Sequence, residues 1–166
     1  MKKIIGYGIL ICIVFFAAIA LIPANFSPSV SQQINANQFT IQRTIENIED
    51  FRLWDPKAIT DSTVSFKSEL KNGLPHLVVT DSLDRVMATY QVEKSTLEEV
   101  QISVNIKNVT PMMYKFHIVP NAHGCTVTWD LEFEGNLMMA MFGVEDQLEA
   151  SFEKGLASLN QMIVSR

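Results

Sequence analysis

The sequence predicts an α+β fold, an antiparallel sheet covered on one face by a long C-terminal helix, behind an apolar N-terminal segment. Three observations carry this. Between Ser62 and Glu134, apolar residues recur with a period of two in six successive segments. Val144, Leu148, Phe152, Leu156, Leu159 and Ile163 then repeat at helical spacing. Residues 4–22 are 19 consecutive uncharged and mostly apolar positions behind Lys2 and Lys3.

As a helix, 19 residues at 1.5 Å each span roughly 28 Å, about the hydrocarbon thickness of a bilayer. The positive-inside rule leaves the two lysines cytoplasmic and carries the remainder across. A cleaved signal peptide competes, because Ala18-Ile19-Ala20 has the small-x-small pattern. The apolar run outlasts the usual 7–15 residues of such a peptide and continues past that site. An uncleaved anchor over 1–24, with a domain over 25–166, is the preferred reading. Both readings export the domain; the anchor makes it a single-pass inner-membrane protein with a periplasmic domain.

The exported part holds all 18 acidic residues and 11 of the 13 basic ones, a net charge near −7. This excludes the basic footprint of a nucleic-acid binder and disfavours broad contact with anionic headgroups. The cysteines, Cys12 and Cys125, lie in different regions and make no disulfide framework.

The elements follow in order. "PANFSPSV" (23–30), with two prolines, reads as a short linker, overlapped by a weak strand over 29–35. Asn37 is placed to cap a helix whose stripe is Ile41, Ile45, Ile48 and Phe51, and Pro56 ends it by Phe51–Trp54. Strand faces then read Val64 and Phe66; "HLVVT" (76–80), with His76 on the Val78 face; Val86, Ala88, Tyr90 and Val92; and Val100, Ile102, Val104 and Ile106. Two more follow, with Tyr114, Phe116 and Ile118, then Cys125, Val127, Trp129, Leu131 and Phe133. Turns are expected at "KNG" (71–73) and "PNAHG" (120–124). Such a sheet has one apolar face, and the tail helix is there to cover it.

That order, with two local patterns, resembles the START-like helix-grip superfamily, especially its bacterial polyketide-cyclase/dehydrase-like (SRPBCC) branch. The first pattern is Phe51-Arg52-Leu53-Trp54-Asp55-Pro56, similar to a Trp-x-x-Pro corner. The second is Val127-Thr128-Trp129…Gly135 followed by Phe152-Glu153-Lys154-Gly155-Leu156-Ala157-Ser158-Leu159, similar to a Phe-x-x-Gly-Leu-x-x-Leu helix. The resemblance covers about residues 28–164. Lys57 replaces a second aromatic after the proline, and the 71–73 hairpin has one glycine and no nearby tryptophan. The resemblance implies a curved sheet gripping the C-terminal helix around a cavity.

On that reading the cavity or its mouth is lined by Trp54, Phe66, Val78, Tyr90, Val104, Tyr114, Phe116, Trp129, Met138, Met141, Phe142, Leu148 and Phe152. Each has a plainer alternative. Trp54 is a plug where the short helices meet the sheet, or a ring that stacks on a ligand. Trp129 is core or cavity wall. "LMMAMFG" (137–143) is helix-start core filling, a lid for an apolar ligand, or a loop that dips into the bilayer. No histidine or cysteine spacing suits a metal, no nucleophile elbow or Gly-rich phosphate loop occurs, and no cofactor is implied.

These readings point to a membrane-anchored binding domain for a hydrophobic small molecule or lipid, without catalysis. A cyclase- or dehydratase-type enzyme using Tyr90, Tyr114 and His76 is the first alternative. An envelope protein-interaction module, its protein partner unspecified, is the second.

Overall fold

A computed structural model describes residues 14–56, 63–71, 74–107 and 109–165. Residues 14–20 are helical. The first ten positions of the apolar run, 4–13, lie outside the described residues. Among the described residues no helix is long and apolar enough to cross a membrane.

The stretch expected as a linker is instead strand. β1 (Pro23–Phe26) and β2 (Ser29–Ile34) both run antiparallel to β8 (Gly124–Asn136), β1 along its last four residues and β2 along Cys125–Asp130. The prolines mark the start and the break of this edge. Pro23 opens a strand, where a missing N–H costs no ladder bond. Pro28 sits between the halves, and its carbonyl accepts from Leu131 N–H at 3.1 Å.

α1 (Gln38–Glu46) begins at Asn37, whose Oδ1 accepts from Thr40 N–H at 2.8 Å. The Ile stripe does not continue as one helix. The chain turns at 47–50 and resumes as α2 (Phe51–Trp54), and Ile41, Ile45, Ile48 and Phe51 are nevertheless all buried. A meander follows: β3 (Ser65–Lys71), β4 (Leu74–Thr80), β5 (Val86–Ser95), β6 (Glu99–Ile106), β7 (Met112–Asn121) and β8. The sheet order is β1-β8-β7-β6-β5-β4-β3, with β2 also along β8. Register shifts at Val79/Thr80 and Val92/Lys94 are the kind of bulge that bends and twists a ladder. At the β7–β8 hairpin Gly124 has φ +126°, and a Cβ there would lie 2.3 Å from the Ile34 carbonyl oxygen. Only glycine fits that contact.

One strand face differs from expectation. Leu77 pairs with Tyr90 and Val79 with Ala88, and all four are buried. Val78 pairs with Thr89, so Val78 and His76 belong to the opposite face. Three consecutive apolar residues, Leu77-Val78-Val79, leave the phase of this strand undetermined by alternation.

α3 (Leu137–Met141) and α4 (Val144–Val164) complete the chain. α4 lies along β2 and α2 and buries Phe152, Gly155, Leu156, Leu159 and Ile163. The result is an α+β helix-grip architecture: a curved antiparallel sheet closed over a long C-terminal helix.

Candidate functional site

The centre of the grip is built from rings. Trp54, from α2, meets Phe116 edge-on at 5.8 Å and Trp129 at 5.7 Å. Trp129 stacks on Phe152 of α4 with centroids 4.3 Å apart and planes 10° apart. Tyr114 closes on Trp129 at 5.1 Å and Phe51 on Tyr90 at 4.8 Å. These separations are those of packed aromatic pairs. Trp54 therefore sits as a plug, fully buried. The helix is allowed this close by Gly155, where a Cβ would fall 2.7 Å from Trp129 Cζ3 and 3.1 Å from Pro56 Cδ.

The polar groups here are few. Trp54 Nε1 and Trp129 Nε1 have no hydrogen-bond acceptor among the described residues. Burial, and after it the nearby Asp55 carboxylate, pushes the Tyr90 and Tyr114 hydroxyls well above the ordinary phenol range. Both stay protonated at any physiological pH, as donors rather than bases. His76, the third group of an acid–base reading, is buried on the far face of β4, so the three do not converge. Burial raises the Cys125 thiol, which leaves it a poor nucleophile. Among the described residues no group of three or more His, Cys, Asp or Glu side chains is placed to hold a metal ion.

Open space lies at one end of the grip, in a pocket of about 690 Å³. Its floor is Tyr114 and Leu131, inward-facing on β7 and β8, with Met112 and Phe133 beyond them. One wall is Met139 of α3 with Val144 and Leu148 of α4. The opposite rim is Val109 and Thr110 from the β6–β7 connection, and Ala20, Leu21 and Pro23 close the third side. The lining is mostly apolar, with Glu134 and Asn136 at the edge and Tyr114 the buried lining residue that carries a polar group. Asn136 also caps α3, accepting from Met139 N–H at 3.1 Å, and so fixes the methionine wall. A second hollow, about 800 Å³, lies between the α1–α2 turn and the β3–β4 hairpin. Arg43, Glu46, Glu49, Asp50 and Glu69 line it together with Ile48, Leu70 and Pro75, a surface groove of mixed and strongly charged character.

Of the residues singled out from sequence, Tyr114 and Leu148 line the end pocket. Trp54, Tyr90, Val104, Phe116, Trp129 and Phe152 belong to the packed interior. Phe66 packs half-buried against it beside Val79, and Val78 faces away. Met138 is half-buried in α3 but outside the pocket lining, while Met141 and Phe142 are exposed. Met139, Met112, Leu131, Phe133 and Val144 were missed as a group. Leu131 and Phe133 share the Trp129 face of β8, and Met112 precedes Tyr114 by two, so strand phase carried a signal for three of them.

No protein-family model and no curated protein matches the sequence. Solved structures do match in shape. A protein of unknown function from Staphylococcus aureus superposes with TM-score 0.67 at 9% identity, over 86% of this chain and 96% of that one. An uncharacterized protein from Rhizobium leguminosarum gives 0.63 at 10% identity, over 87% and 97%. The AHSA1-like protein from Aeromonas hydrophila gives 0.59 at 9% identity, over 84% and 93%. At such identities the likeness shows the fold alone, and that fold is the helix-grip fold.

Proposed function

We propose that this is a non-catalytic binding domain for a hydrophobic small molecule or a lipid chain, tethered by its N-terminal apolar segment on the extracytoplasmic side of a bacterial inner membrane. The observation that carries the binding reading is the end pocket: about 690 Å³, mostly apolar, with a small number of polar groups at its edge and wall. That is the general make-up of small-molecule sites.

Magnitudes constrain the guest. A buried methylene contributes about 0.8 kcal/mol, so about ten give ~8 kcal/mol gross. Association costs at least ~4 kcal/mol, which leaves millimolar binding. About fifteen methylenes leave ~8 kcal/mol, or micromolar binding. The guest is therefore a long chain or an equivalent apolar area.

Native mass spectrometry of the detergent-extracted full chain, offered saturated fatty acids of increasing length and a quinone-like probe, tests this. Stoichiometric uptake that tightens with chain length is expected. A domain that stays empty across the series overturns the proposal.

A further inference from the structure

Around the pocket mouth the chain carries a set of exposed apolar side chains, of which only Leu21 and Val109 are pocket lining. Leu21 is 84% exposed, Phe142 68%, Met141 61%, Val109 50%, Ile22 47% and Leu137 37%. Leu21 and Val109 border the pocket mouth. The Ile22 carbonyl accepts from Leu137 N–H at 2.9 Å, and Phe142 follows the short helix whose Met139 is pocket wall. Three chain segments thus converge on one greasy rim, a feature that marks an interaction surface rather than ordinary solvent contact.

What covers it follows from the chain itself. The apolar run ends at Ile22, and Pro23 is already paired with Asn136 in the sheet. No spacer separates the run from the domain. Ala20 and Leu21, at the end of the run, already line the pocket, so a bilayer that holds the run upstream of them is brought within a few residues of the pocket mouth, and the exposed rim is the part of the domain facing it. We infer that this end docks on the bilayer surface, with Met141 and Phe142 entering the headgroup–acyl boundary and the pocket opening toward the lipid. Interfacial burial of an apolar face to about 5–10 Å is the physical precedent. The acidic domain, with Glu134 on the rim, suits a zwitterionic surface. The inference rests on the proposed tether and gives the pocket its route of loading.

The full chain, in a Cys12→Ser background, is labelled with an environment-sensitive fluorophore at Phe142→Cys, at Met141→Cys, or at Ala122→Cys in the far β7–β8 turn. Cys125 is buried and spared. The protein is reconstituted in phosphatidylcholine vesicles with spin-labelled lipids whose quencher sits high in the acyl chain. Fluorescent fatty-acid uptake is measured in the same vesicles. Blue-shifted emission and several-fold stronger quenching at 141 or 142 than at 122 is the expected result. Equal quenching at all three sites in membrane-retained protein overturns the docking, whether or not fatty acid binds. Strong quenching at 141 or 142 without uptake sustains the docking and sinks the binding function instead.

Discussion

Gly155→Ala sets two known effects against each other. Replacing a mid-helix glycine by alanine ordinarily stabilises by about 1 kcal/mol. Here the new methyl would lie 2.7 Å from Trp129 Cζ3 and 3.1 Å from Pro56 Cδ, against a carbon–carbon optimum of about 3.5–4.0 Å. Trp129 cannot yield cheaply. Phe152 stacks on it at 4.3 Å, Phe116 lies at 4.9 Å, Tyr114 at 5.1 Å and Trp54 at 5.7 Å. Withdrawing α4 instead would loosen Phe152, Leu156 and Leu159, all buried. Overpacking of this kind costs about 1–3 kcal/mol, and a contact this short against a ring blocked on several sides belongs near the upper end. The net expectation is a destabilisation of ~1–2 kcal/mol for alanine and more for valine, which is bulkier and a poorer helix former. Denaturant unfolding of the full chain in detergent, followed by the fluorescence of Trp54 and Trp129, measures it. Ala157→Gly, at an exposed position of the same helix, calibrates the propensity effect at about 1 kcal/mol. If Gly155→Ala proves as stable as the native chain or stabilises it, Trp129 is not locked and the account of a filled centre fails.

Leu148→Trp places an indole in the end pocket and should abolish fatty-acid uptake in native mass spectra with little change in unfolding midpoint; unchanged uptake would place the guest elsewhere. Tyr90 and Tyr114 ionise well above the ordinary value of about 10. Their contribution to stability is therefore fully present below pH ~10 and is lost as pH rises beyond it. Ultraviolet titration should show both remaining protonated until alkaline unfolding, whereas two normal midpoints near 10 would contradict their burial. Asn37→Ala removes the 2.8 Å cap of α1 and should cost about 1 kcal/mol by denaturant unfolding, with Asn37→Ser close to native; equal losses in both would show that the cap is not the cause.

Strand periodicity made most of the sheet legible. Tyr90, Val104, Tyr114, Phe116 and Trp129 all face inward as their alternation implies. It failed where the pattern lost contrast, at Leu77-Val78-Val79, and where proline was given too much weight: Pro23 and Pro28 read as linker, although edge strands tolerate them. The resemblance implied a cavity between the sheet and the C-terminal helix, without saying where along the helix it opens. The described residues fill the centre of that interface with rings and leave space at its end. The pocket was hard to foresee because it is assembled from residues 20–23, 109–114, 131–139 and 144–148. No one of these stretches carries a motif. Met139, rather than the exposed Met141 and Phe142, lines it because Asn136 starts a helical turn that points that side chain inward.

β3 ends the strand order, and among the described residues no further strand lies beyond it. Its free backbone groups would accept a strand from a second molecule, the ordinary route to uncontrolled sheet growth. The strand answers this with composition: Ser65, Lys67, Ser68 and Glu69 are all exposed, with Leu70 the exposed apolar residue near its end. Two copies meeting there in antiparallel fashion would have to desolvate those charges for little apolar return. Self-association by strand exchange is thus discouraged on this flank, a useful property for a protein that the proposed tether would crowd against its own kind in two dimensions.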